Sequence, residues 1–194
     1  MKNKNFAFLL IIVLFIASCS PSRDKSVKNI AAMEKRLFSP QSTSFDKAKW
    51  DSLISMYEAF CKRFSEDSLV PGYTFSAANI AMNTGNGQKA LTLFEQIINK
   101  YPHYSKAPLC LFFKGYVYEN LQHDLTKAKE IYLQFIEKYP NNEFVPAAQS
   151  SIQNLGKTPE QMVREFEEKH KADSIRLADS LANVKGKNRK HRKS

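Results

Sequence analysis

Lys89-Ala90-Leu91-Thr92-Leu93-Phe94-Glu95-Gln96-Ile97-Ile98-Asn99-Lys100-Tyr101-Pro102 decides the fold, because the chain repeats it 38 residues later as Lys127-Ala128-Lys129-Glu130-Ile131-Tyr132-Leu133-Gln134-Phe135-Ile136-Glu137-Lys138-Tyr139-Pro140. Seven of these fourteen positions are identical, and Leu93/Ile131, Phe94/Tyr132 and Ile97/Phe135 exchange one apolar residue for another. A fixed period of this length marks a stacked-repeat architecture. The pattern also runs backwards: Phe64-Ser65 lies 37 residues before Tyr101-Pro102, and Pro71, Pro108 and Pro146 fall 37 and 38 apart. Each unit therefore reads as a pair of helices. The first opens near a proline, tolerated where N–H groups have no intrahelical acceptor. The second closes at Tyr-Pro, because the residue before a proline is pushed out of the α region. Gly85-Asn86-Gly87 and His123-Asp124-Leu125 supply the reversals between them.

The small residues Ala78 and Gly115 midway in the first helices, the pairs Ala90/Phe94 and Ala128/Tyr132 in the second, and the closing Pro102 and Pro140 resemble the tetratricopeptide repeat. The resemblance covers about residues 44–170. It implies an all-α fold of helical hairpins stacked in a right-handed superhelix. Two departures stand out: Thr74 and Leu111 occupy the place of a large aromatic, and Ile97 and Phe135 that of a small residue late in the second helix.

The formal net charge of +10 is uneven. Lys2 and Lys4 supply two charges and the last ten residues six, so the middle of the chain is nearly balanced and the fold itself is not a polycation. The amino terminus reads as an export signal, residues 1–18: a basic start, the eleven apolar residues Phe6–Ile16, then small residues before Cys19. Eleven residues are too few to span a bilayer core of ~30 Å. The stretch resembles a bacterial lipoprotein signal, which implies that Cys19 becomes the first mature residue and carries a diacylglyceryl group and an N-acyl chain such as palmitate. Ser20 after the cysteine is similar to lipoproteins sent to the outer membrane, so the expected location is the periplasmic face of that membrane.

Residues 19–43 read as a lipidated tether with a short amphipathic helix at Val27–Phe38, on Ile30, Met33 and Leu37. A long helix over Ser44–Phe64 presents Trp50, Leu53, Ile54, Tyr57, Phe60 and Phe64 on one face, in the second-helix place of an incomplete first unit. Helices near Pro71–Asn83, Gln88–Tyr101, Pro108–Leu121, Thr126–Tyr139 and Pro146–Leu155 complete a repeat domain over 44–170. Thr158-Pro159-Glu160-Gln161 is a capping box. The helix it opens is expected to pack Met162, Val163 and Phe166 as a closing lid. Residues 171–194 read as a helical extension that gives way to a basic disordered tail carrying Lys185, Lys187, Arg189, Lys190, Arg192 and Lys193.

Little in the chain suggests chemistry. His103, His123, His170 and His191 have no metal-ligand spacing, and no phosphate-binding glycine loop, serine elbow or Cys-His motif is visible. The reading is a protein that is not an enzyme, with no catalytic residue, metal or cofactor. Cys61 and Cys110 fall on helix faces at core-like spacing and read as buried free thiols.

The function expected is that of a periplasmic scaffold for protein or peptide partners. The combination of acyl anchor, Tyr-Pro repeats and helical tail resembles the outer-membrane assembly lipoproteins of the BamD type, which implies a β-barrel assembly machinery as partner. The alternative is a structural envelope protein whose basic tail engages peptidoglycan or anionic lipid. Nucleic acid is disfavoured by the compartment. The repeat resemblance implies a concave face lined by the first helices. Counting from Ala78 and Gly115 puts Phe75, Asn79 and Met82 on it in one unit and Phe112, Tyr116, Glu119 and Asn120 in the next.

Overall fold

A computed structural model of the chain describes residues 22–39 and 45–191, and their side chains as far as residue 180. Among the described residues there are eight helices and no strand: α1 (Arg23–Leu37), α2 (Lys47–Arg63), α3 (Val70–Asn83), α4 (Gly87–Lys100), α5 (Ala107–Asn120), α6 (Leu125–Lys138), α7 (Val145–Asn154) and α8 (Pro159–His191). The architecture is the expected array of helical hairpins. The chain divides into two compact units, the first ending at Ala148 and the second beginning at Gln149.

Local chemistry starts and stops the helices of the first unit. Each second helix begins on a carboxylate or amide cap: Asp46 accepts from the Ala48 N–H, Asn86 from Lys89 and Asp124 from Lys127. Such caps stabilise a helix by about 1 kcal/mol. The first helices α3 and α5 have no side-chain cap and instead carry Pro71 and Pro108 in the first turn. At the other end, Phe64, Tyr101 and Tyr139 donate their N–H to Phe60, Ile97 and Phe135 at 2.8, 2.8 and 2.9 Å. The tight reversals place Gly85 at φ 79° and His123, its counterpart 38 residues on, at φ 54°.

Consecutive helices from α1 to α6 pack on one another. Aligned by the repeat, Leu53/Ala90/Ala128, Tyr57/Phe94/Tyr132 and Phe60/Ile97/Phe135 form three buried rungs. Each large apolar side chain in them is worth roughly 1.5–3 kcal/mol of burial. The rungs make α2 the second helix of an earlier unit, with α1 beside it burying Ile30 and Leu37. Gly115 is required by its neighbour: a Cβ there would stand 2.6 Å from Tyr132 Cε1 and 2.7 Å from Cδ1. Where an aromatic was expected, Thr74 is buried with its hydroxyl donating to the Val70 carbonyl at 2.8 Å, and Leu111 is buried too. Cys61 and Cys110 are free thiols, the second fully buried.

In the second unit the capping box forms: the Thr158 N–H donates to Gln161 Oε1 at 2.8 Å and the Gln161 N–H to Thr158 Oγ1 at 3.3 Å. Two expectations are corrected here. Met162, Val163 and Phe166 are exposed rather than buried as a lid. Charged Arg164, Glu165, Glu167 and Glu168 crowd them into too narrow an apolar stripe. The tail is also less irregular than expected, because α8 runs through Lys185, Lys187, Arg189 and Lys190 to His191. No proline follows Pro159, and lysine and arginine are good helix formers, so the sequence offers nothing but Gly186 against a helix. Arg192 and Lys193, like the signal and Cys19, lie outside the described residues. Among those described, no helix is long and apolar enough to cross a membrane.

Candidate protein-binding surfaces

Two opposite faces of α3 matter, and helical register separates them. Phe75, Asn79 and Met82 lie on one side, and Val70, Thr74 and Ala77 on another about 140° away at 3.6 residues per turn.

On the first face the structure sorts the seven expected groove residues into two groups. Phe75 and Met82 are core side chains, not an open surface. The Phe75 ring sits among Phe94, Tyr104 and Phe113 at centroid distances of 6.4, 6.4 and 6.5 Å, with Lys106 Nζ 4.7 Å over it. The cause is that α3 is apolar on most of its circumference and is packed from both neighbours. Glu119 is half-buried and accepts a hydrogen bond from the Tyr132 hydroxyl at 2.8 Å, which ties it to α6. Phe112 is also half-buried, 5.6 Å from the Tyr132 ring, 5.7 Å from Phe135 and 5.4 Å from Phe144.

Tyr116 is 42% exposed, and Asn120 one turn on is exposed as well. Asn79 is half-buried. Both asparagine amides donate to the carbonyl four residues back, Asn79 to Phe75 and Asn120 to Tyr116, each at 3.0 Å. Their side-chain oxygens are the acceptors they offer outward, since the amide is an acceptor as well as a donor. The surface that remains is therefore Tyr116, Asn120, Asn79 and the edge of Phe112.

The other face of α3 was not singled out from the sequence. Val70, Thr74 and Ala77 floor a half-open cleft of ≈ 400 Å³ between α2 and α4. Tyr57 and Cys61 wall it on the α2 side, and Leu93 and Gln96 on the α4 side. Glu58, Lys62 and Lys100 stand around it. The one sequence signal for it was Thr74, a small polar residue where its counterpart Leu111 is large.

Neither thiol is poised for chemistry. Burial pushes the Cys61 thiol up, partly offset by the Thr74 hydroxyl 3.6 Å away, and burial pushes Cys110 up to about 12. A nucleophilic cysteine needs the opposite shift. Among the described residues no three His, Cys, Asp or Glu side chains are placed to hold a metal ion.

Residues 75–104 and 111–142 match the family model of the tetratricopeptide repeat. A search of the curated proteins found no match. The matched segments fall on the hairpins α3/α4 and α5/α6, whose rungs, reversals and terminal Tyr-Pro have just been described. These two hairpins are similar to tetratricopeptide repeats, a module that generally mediates contact between proteins and is typically a non-enzymatic scaffold.

Proposed function

We propose that this chain is a lipid-anchored scaffold on the periplasmic face of the outer membrane, holding protein or peptide partners during assembly of outer-membrane proteins. The observation that carries the binding part is the exposed Tyr116–Asn120 step on α5, with half-buried Asn79 at the place on α3 that matches Tyr116, 37 residues earlier. An exposed aromatic supplies contact area, and the two amides supply acceptors for a partner backbone. The anchor and location rest on the amino-terminal sequence, with Lys2, Lys4, the run Phe6–Ile16 and Cys19. More than one acyl chain gives stable attachment, since each buried methylene contributes ~0.8 kcal/mol.

The test has two arms. Cys19→Ala should abolish incorporation of labelled fatty acid and leave a soluble or uncleaved precursor; continued acylation refutes the anchor. Asn79→Ala with Tyr116→Ala should lose partners that co-purify from detergent-solubilised membranes, with helicity unchanged. Recovery of a β-barrel insertase with the parent chain supports the assembly role.

A second reading, a structural link to peptidoglycan or anionic lipid, has one feature in its favour: six cations in the last ten residues. Near an anionic surface each contributes ~1 kcal/mol. Deleting residues 185–194 should then weaken binding to anionic vesicles or sacculi at low salt, and equal binding without the tail excludes it.

A further inference from the structure

We propose that the cleft between α2 and α4 is a second docking site, which takes one large apolar side chain of a partner peptide whose flanking residues are acidic. The inference rests on the scaffold reading only in taking the occupant to be a segment of protein. It concerns a different face of α3.

The two repeats show why the room is there. Thr74 and Ala77 correspond to Leu111 and Lys114, 37 residues on. In the second repeat a buried leucine fills the place of Thr74, and the Lys114 side chain, mostly buried, reaches the Glu95 carboxylate. In the first repeat both side chains are short, and the space between the second helices becomes a cleft of ≈ 400 Å³. Specific ligand sites begin at ~300 Å³. Its floor and walls are mainly apolar: Val70, Ala77, Leu93 and the Tyr57 ring. The Thr74 hydroxyl is already bonded to its own helix, so the floor asks for no polar partner.

Charge sets the rest of the chemistry. The acidic residue beside the cleft, Glu58, is bonded to Lys89 Nζ at 2.8 and 3.0 Å. Lys62 and Lys100 are exposed and form no ion pair among the described residues. Each stands at the end of a second helix, where a cation suits the helix macrodipole, as Lys138 does in the next unit. What is particular to this cleft is that two such ends meet across an apolar floor. Carboxylates on either side of the inserted side chain would be steered and oriented by them, while the apolar contact supplies most of the affinity.

The probe is a fluorescein-labelled peptide, Gly-Ser-Asp-Glu-Trp-Glu-Asp-Ser-Gly, titrated with the full chain in detergent and read by anisotropy. Binding should fall at least tenfold when the peptide tryptophan becomes serine. Thr74→Leu, which borrows the side chain of the second repeat, should cost at least tenfold with helicity retained. Lys62→Glu with Lys100→Glu, both exposed, should weaken binding severalfold and flatten its salt dependence, so the test does not depend on one core variant. Asn79→Ala with Tyr116→Ala should leave the peptide affinity unchanged. The proposal is overturned if the serine peptide or Thr74→Leu binds like the parent, if the tryptophan peptide does not bind, or if dodecanoate binds the cleft and the peptide does not. Co-purified partners retained in the face of any of these results would leave the scaffold reading standing and remove the cleft alone.

Discussion

The hairpins α3/α4 and α5/α6 share a period and half the residues of their second helices, yet they fill their interiors differently. At the close approach of the two helices the second has Gly115 against Tyr132, and the matching residues of the first are Ala78 and Phe94. On the outer side, the first has Thr74 and Ala77, and the second Leu111 and Lys114. The backbone frame is conserved between them because caps, prolines and rungs are. The side-chain volume within it is redistributed, and the first repeat keeps a cleft where Thr74 and Ala77 are short. A repeat thus specifies its hairpin through a few buried positions and leaves its faces free to diverge.

The largest effect should come from the positions the hairpins share. Phe94→Ala and Phe135→Ala each empty a fully buried site and should cost about 3–5 kcal/mol, read from chemical denaturation. A loss confined to one of them would show that only one hairpin supports the stack.

The difference between the hairpins appears at the small residues. Gly115→Ala drives a methyl into the Tyr132 ring and should cost about 1–3 kcal/mol, as over-packing does. Ala78→Gly, the reverse exchange at the matching place, should cost about 0.5–1 kcal/mol through backbone entropy. Equal costs would mean the two approaches are not distinct.

Cys110, buried in α5, adds a pH dependence. Its thiol is raised to about 12, against about 8.5 in an unfolded chain, so the folded state holds the proton more tightly. Its contribution is fully present below about pH 8.5 and is lost as pH rises above that, by about 1.4 kcal/mol per unit at most. Denaturation midpoints between pH 8.5 and 10 should therefore fall, and Cys110→Ala should reduce the slope to the part that Cys61, also raised by burial, contributes. An unchanged slope in that variant would assign the dependence to other groups.

The smallest effect concerns the reversals. Gly85 takes its positive φ at no steric cost, whereas His123 carries a Cβ in the same region. That conformation costs about 1–2 kcal/mol for a side-chain-bearing residue, against about 0.5–1 of extra chain entropy for glycine. His123→Gly should thus gain about 0.5 kcal/mol, and a loss would mean that the His123 side chain makes a contact worth more than the strain.

The sequence by itself determined the helical hairpins, their order and their buried rungs. It did so because those depend on local signals: proline in a first turn, an Asp or Asn cap, Tyr-Pro at the end, apolar residues at helical spacing. The repeat resemblance singles out Ala90, Phe94, Ala128 and Tyr132, and all four are buried. Only the tertiary structure decided which first-helix residues face outward. Phe75 and Asn79 are one turn apart on one face, but the ring meets Phe94, Tyr104 and Phe113 and is buried, while the amide stays half-exposed. Nor could spacing say that Met162 and Phe166 would find no cover, or that Thr74 would floor a cleft. Exposure and cavity volume are set by what neighbouring helices bring to a position, and that is a property of the packing rather than of the chain's own period.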